Sequence, residues 1–353
     1  MKKTLINLID KLEVEKILSK KEFVQLLIEH KDVELADYIS QKARNTKEKN
    51  YGKDVYIRGL IEFTNYCKND CYYCGICASN KNVVRYRMTK EQILECCEIG
   101  YKLGFRTFVL QGGEDKWFTD ERMTDIVSSI KKKFSDCAVT LSLGERSFES
   151  YKLLKEAGAD RYLLRHETAN PEHYSKLHPQ KMSSEHRKQC LLELKSLGYQ
   201  FGTGFMVGSP YQTYENLAED LIFICDIQPH MVGIGPFIPH HDTKFADFKG
   251  GTVELTVFLI SILRLMLPYS LLPSTTALGS IDVFGREKAI LAGANVVMPN
   301  LSPVKVRKKY MIYDNKVGIE DDAVASLENI KRKIESTGNR IVVSRGDVIR
   351  VEC

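Results

Sequence analysis

Apolar positions along this chain change period several times. Over residues 1–50, Leu, Ile and Val recur at helical spacing among lysines and glutamates, which predicts a helical extension with a polar outer face. From about residue 55, short apolar runs of strand length alternate with helix-like stretches. The runs are 55–63, 106–111, 138–143, 160–166, 200–207, 231–238, 271–277 and 294–299. The helix-like stretches fall near 89–104, 119–134, 147–157, 183–197, 213–227, 252–267 and 282–292, with another near 321–337 after the last run. Gly158, Gly198 and Gly293 stand where a helix should end and the chain turn back into a strand. Strands alternating with helices imply a parallel sheet. Eight such units predict an α/β fold of the (β/α)8, TIM-type barrel kind. The expected organisation is an N-terminal helical extension over 1–50, a barrel over 51–315 and a C-terminal helix and tail over 316–353.

Composition narrows the class. Hydrophobic residues make up 43% of the 353, enough for a large core, and 51 basic against 46 acidic side chains leave a net charge of only +5. So slight an excess points to neither nucleic acid nor a membrane surface. Pro268 breaks the most apolar stretch, around 255–272, and the N-terminus reads as an amphipathic helix, so a soluble cytoplasmic protein is expected. There are ten cysteines, and Cys67, Cys71, Cys74 and Cys77 crowd one loop. In a reducing compartment such clustering of soft ligands points to metal and not to disulfides.

Barrel enzymes work at the C-terminal ends of their strands, and here nearly every strand run ends in polar or reactive groups. After the first run, Cys67, Cys71 and Cys74 have C-x3-C-x2-C spacing. One loop so spaced can place three thiolates on three irons of a four-iron cluster and leave the fourth iron open. The competing reading is a zinc knuckle built from Cys71, Cys74 and Cys77; Cys77 is expected to be a bystander. Gly112 and Gly113 allow close approach of the backbone to a ligand. Arg161, Leu163, Arg165 and Glu167 alternate and so share one face, where interior charges need a partner or a ligand. Thr275 and Thr276 are adjacent and cannot both point inward from a regular strand. His240 and His241 are possible metal ligands, though adjacent loop histidines more often do something else. Tyr310 and Tyr313 either line the pocket or pack.

The cysteine motif after the first strand of a barrel resembles the radical S-adenosylmethionine (SAM) superfamily. Longer strings resemble the HydE family of FeFe-hydrogenase maturases: CGICASNKNVVRYRMT (74–89), VLQGGED (109–115), TLSLGE (140–145), DRYLLRHETANPEHY (160–174), HMVGIGPFIPHHDT (230–243) and STTALGSID (274–282). The likeness runs from about residue 55 to 315. It implies one [4Fe-4S] cluster on Cys67, Cys71 and Cys74, with SAM on the open iron, and reductive cleavage of SAM to a 5′-deoxyadenosyl radical. It implies SAM contacts from Tyr73, from the Gly112-Gly113-Glu114 segment, from Glu167 and Arg187, and from Tyr310 near the adenosine. Ser142, Arg165, Thr275 and Thr276 would then surround a small, anionic, amino-acid-like substrate. By the same resemblance that substrate is a cysteine-ligated iron complex carrying CO and cyanide, a precursor of the diiron subcluster. An electron donor and other hydrogenase maturases are the implied partners. The related methylornithine synthases share the RYR and GED segments and stand as the alternative, while GIGPFIPH and STTALGSI favour HydE. Biotin synthase would need ligands for a second cluster inside the barrel, a pattern absent here. An iron–sulfur carrier without catalysis would not need so many polar strand ends. Many members of the family have Arg where Cys77 stands. Some carry a second cysteine cluster near the C-terminus; here only Cys353 lies there, and no second cluster is expected.

Overall fold

The computed structural model describes residues 2–349; Cys353 lies outside them. The strands are β1 (Asp54–Ile57), β2 (Gly59–Thr64), β3 (Thr107–Gly112), β4 (Ala138–Ser142), β5 (Arg161–Leu163), β6 (Gln200–Thr203), β7 (Met206–Val207), β8 (Met231–Val232), β9 (Gly235–Pro236), β10 (Val296–Val297) and β11 (Arg340–Val342). All their pairings are parallel. The order β2-β3-β4-β5-β6-β8 continues through the bridges Met231↔Leu271 and Pro273↔Val296 to β10, which pairs with β1. The ring closes, and the eight-unit barrel forms as expected. Helices follow the strands at Lys90–Lys102, Asp120–Lys133, Phe148–Glu156, Ser184–Ser196, Tyr214–Ile227, Val253–Met266 and Gly285–Leu291. Gly158, Gly198 and Gly293 all take positive φ, of 107°, 70° and 102°, as helix-ending glycines do.

Three runs read as single strands are broken. The run 55–63 divides at Arg58, 200–207 between β6 and β7, and 231–238 between β8 and β9. The last two breaks face each other: a Cβ on Gly204 would lie 1.9 Å from the Gly233 carbonyl oxygen. The run 271–277 forms only bridges, because Pro273 has no N–H to donate and a helix starts at Thr276.

Ile61, Phe63, Leu110 and Leu141 pack in the core between sheet and helices. By alternation Glu62, Gln111 and Ser142, which are register neighbours, face the barrel interior near its C-terminal end. The opposite end is plugged by residues beyond β11. Arg161 donates to Asp347 Oδ1 (2.6 Å) and to the Arg345 carbonyl (2.8 Å), and Thr107 donates to the same carbonyl (2.8 Å). The N-terminal helices α1 (Lys2–Glu15), α2 (Lys20–Ile28) and α3 (Val33–Tyr51) start at side-chain caps where the sequence offers them, Ser19 and Asp32. Their apolar faces belong to the same core as the barrel. Among the described residues no helix is long and apolar enough to cross a membrane.

Candidate active site

The loop between β2 and Lys90–Lys102 carries the cysteines at the C-terminal end of the barrel. Cys67, Cys71 and Cys74 keep part of their surface open, whereas Cys77 is buried. Arg85, from the RYR string, shapes the loop. Its guanidinium donates to the carbonyls of Asn65 (2.5 Å), Ile76 (2.8 Å), Cys77 (2.5 Å) and Asn80 (3.1 Å). The backbone N–H groups of Asn69 and Glu114 lie toward the Cys67 sulfur, and that of Ile76 toward the Cys74 sulfur, where they favour the thiolate. Burial pushes all three thiols up, Cys74 to about 12. Binding iron means displacing those protons, and the N–H donors favour the thiolate that results. A single zinc ion needs sulfurs about 3.8 Å apart, from four ligands at about 2.3 Å. Among the described residues, three or more ligand atoms gather within 4.8 Å only at His240, His241 and Asp314, so Cys71, Cys74 and Cys77 are not drawn together at that spacing. Wider spacing and N–H donors aimed at sulfur fit a cluster.

Gly112 packs closely against Phe63 and Thr64 of β2, and Gly113 against the cysteine segment itself. A Cβ on Gly113 would lie 2.2 Å from the Tyr66 oxygen and 2.8 Å from Cys67 Cβ. A Cβ on Gly144, at φ +74°, would lie 2.1 Å from Glu114 Cγ, so its absence makes room for that carboxylate. Glu114 pairs with Lys68 (2.9 Å) and faces Arg187 (3.9 Å). Arg187 is buried and paired with Glu145 (2.6 Å), and it donates to the Arg165 carbonyl (3.3 Å). Burial opposes its charge, but Glu145, Tyr174 and Glu114 keep it protonated. Glu145 was not singled out from sequence; its place in TLSLGE, three residues past the end of β4, was the available signal. Arg165 and Glu167 form an ion pair at 3.1 Å. Tyr73 is half-buried beside Glu167, Cys71 and Arg187, with its phenol pushed up chiefly by desolvation. Its hydroxyl meets His178 Nε2 at 3.1 Å, and that ring stacks on Tyr174.

Deeper in the barrel, Ser142 lies beside Gln111, and Gln111 stands near the Tyr310 phenol. Arg165 Nε and Thr275 Oγ1 are buried without a hydrogen-bond partner among the described residues. The adjacent threonines therefore separate in role. Thr275 holds a free hydroxyl, while Thr276 begins the helix Thr276–Ile281 and accepts from Arg286 (3.3 Å). Glu62, also missed from sequence, is held by Lys316 (2.5 Å) and Asn300 (2.7 Å). Lys316 belongs to a strap, residues 309–316, laid over the cysteine loop. Asn65 Nδ2 donates to the Lys309 carbonyl (2.7 Å) and Gly75 N to that of Ile312 (3.0 Å). Tyr310 is buried within reach of Cys74 and Glu62, and Tyr313 lies by Ser280 and Arg286. His240, His241 and Asp314 converge at the edge of this strap. His240 Nδ1 accepts the Asp242 N–H (3.1 Å), which leaves the ring proton on Nε2, and a Cβ on Gly75 would lie only 2.6 Å from that nitrogen. Asp314 accepts from the His241 backbone N–H (2.9 Å) and meets its Nδ1 (2.8 Å), which ties the strap to this loop.

The sequence pattern of the Radical SAM superfamily matches residues 61–224. The [FeFe] hydrogenase maturase subunit HydE of Thermotoga maritima is 47% identical over 84% of this chain and 85% of its own. A 3-methylornithine synthase of Methanosarcina acetivorans is 28% identical over 87% of this chain and 85% of its own. Among solved structures, methylornithine synthase (PylB) superposes with a TM-score of 0.84 at 25% identity, covering 95% of this chain and 97% of that one. A fold, a cysteine loop and an identity of this extent together settle membership: the chain belongs to the HydE family of [FeFe] hydrogenase maturases, within the radical SAM superfamily.

Proposed function

We propose that Cys67, Cys71 and Cys74 hold the [4Fe-4S] cluster, and that SAM lies across the mouth between that loop, the Gly112-Gly113-Glu114 segment and Glu167. The single observation that carries this is three part-exposed cysteines on one loop at the barrel mouth, with Gly113 packed against Cys67 and the ion pairs Arg165–Glu167 and Arg187–Glu145 beside them. When bound, the cluster supplies the electron that cleaves SAM to methionine and a 5′-deoxyadenosyl radical. The chain's own residues bind and shelter. Glu167 accepts from the SAM amine or ribose, and Tyr310 closes the adenosine side. Arg187 is already balanced by Glu145 and Glu114, so it steers a carboxylate through its remaining N–H groups.

The substrate end is read as a site for a small anion with amino-acid character. Arg165 and Thr275 bring unpaired buried donors, and Ser142 adds a hydroxyl. Buried polar atoms without partners are costly and are repaid by a ligand that meets them. Thr276 supports this wall through Arg286. The reading extends to a cysteine-ligated iron complex carrying CO and cyanide as substrate, handed over by another maturase, with a cytoplasmic protein as reductant. Anaerobic reconstitution and a SAM cleavage assay test the first half: wild type should load four irons and cleave SAM, and Cys67→Ala, Cys71→Ala or Cys74→Ala should lose both. Addition to an extract lacking its own maturase tests the second. Restored hydrogenase activation supports it, whereas conversion of lysine to methylornithine would replace it.

A further inference from the structure

Glu167 stands in the left-handed region, at φ +66°. A residue with a Cβ reaches that conformation only at a cost that its surroundings must offset, and such residues collect at functional sites. The segment Arg165–Ala169 carries two side chains assigned above to SAM and substrate, so what holds it there matters.

Four contacts fix it. His166, between the two assigned residues, is fully buried, as is Asp220 on Tyr214–Ile227. His166 Nδ1 meets Thr203 Oγ1 at 2.8 Å and Nε2 meets Asp220 Oδ1 at 3.3 Å. Ala169 N donates to the same Oδ1, and Glu167 N to the Gly204 carbonyl (3.1 Å). Burial pushes the imidazole down to about 3, so it is neutral with a single N–H. With one N–H, the imidazole donates to one of Thr203 and Asp220 and meets the hydroxyl or carboxyl of the other through its second nitrogen, so both partners are satisfied. Asp220 Oδ1 carries both contacts while Oδ2 has no hydrogen-bond partner among the described residues. Asp220 is thus used as a single acceptor oxygen, a role an amide can fill.

We propose that the buried Thr203–His166–Asp220 relay positions the SAM-binding segment: it locks residues 166 and 169 on either side of Glu167 and so holds the Glu167 carboxylate, and Arg165 with it, at the mouth of the barrel. This rests on the assignment of Glu167 to SAM. His166 and Asp220 touch neither cofactor nor substrate and act only through their neighbours.

The test uses the full chain, reconstituted anaerobically, and reads SAM affinity per loaded cluster, together with the change in the reduced cluster's EPR spectrum on adding SAM. Asp220→Ala should load four irons as wild type does but bind SAM about tenfold or more weakly, the loss expected for one hydrogen bond to a charged group. Asp220→Asn keeps the acceptor oxygen and should stay within about twofold of wild type. A merely structural role would lower the thermal midpoint of Asp220→Ala without moving the affinity of the folded, loaded fraction. Should that variant not fold, Thr203→Val against Thr203→Ser decides: loss in Val and recovery in Ser are expected. Wild-type affinity in Asp220→Ala, equal weakening in Asp220→Asn, or no difference between the Thr203 variants overturns the proposal. A wild type that loads iron but neither binds nor cleaves SAM overturns the functional reading, and this inference with it.

Discussion

Lys316→Met is the sharpest test of how the site is braced. Glu62 and Lys316 have side chains only 1% and 7% exposed, and their 2.5 Å contact lies inside the barrel end. The other Glu62 oxygen is taken by Asn300, so among the described residues Lys316 is the cation in direct contact with this carboxylate. Removing one member of a buried pair leaves the other charge uncompensated, at a cost of about 3–5 kcal/mol. Solvent screening does not soften that figure for groups this enclosed. Urea unfolding of the chain without iron, followed by circular dichroism, should show a lower midpoint for Lys316→Met at unchanged slope. The double variant Glu62→Gln/Lys316→Met should recover most of the loss, since the amide oxygen still accepts from Asn300 and no charge remains. A Lys316→Met chain within about 0.5 kcal/mol of wild type, or a double variant no better than the single, would refute the reasoning.

Cys77→Ala should keep four irons and SAM cleavage, because Cys77 is buried and lies outside the C-x3-C-x2-C spacing; iron loss with zinc in the purified protein would restore the knuckle. Arg165→Lys keeps the charge but loses the planar fork with its unpaired Nε. Product formation should therefore fall more than substrate-free SAM cleavage, and equal losses in the two assays would remove Arg165 from the substrate wall. His178 is buried and its imidazole is pushed down to about 3 from an ordinary 6.5. The unfolded chain then binds the extra proton as pH falls between those values, so His178 costs stability there, on the order of 3–5 kcal/mol by the lower limit. His178→Asn should flatten the acid limb of a stability profile relative to wild type; an unchanged difference from pH 7 to pH 4 would count against it.

The barrel was legible because its alternation of strand and helix is set by local pattern. The cysteine loop was legible because its ligands are close in sequence. What stayed hidden depends on partners far apart in the chain. Arg85 acts on carbonyls from Asn65 to Asn80, which no spacing rule announces. Glu62 looked like one polar residue in an apolar run, and only Lys316, 254 positions away, explains it. The two threonines could be known to differ from sequence, but not which was which until Pro273 and the helix starting at Thr276 fixed the turn. Gly113 was read as yielding to a ligand; the space it leaves is filled by the backbone of Tyr66.

The strap has a consequence for biosynthesis. Asn65 and Lys309, which it joins, are 244 positions apart, and chains emerge from the ribosome at about 5–20 residues per second. The thiols therefore leave the exit tunnel well before Tyr310, Ile312 and Lys316 exist to cover them. For that interval the cysteine loop hangs without its outer wall, open to oxygen and to stray metal. Iron loading that yields the finished site belongs after synthesis, on a chain already closed, and an expression host that supplies iron late but keeps oxygen out early suits this protein better than the reverse.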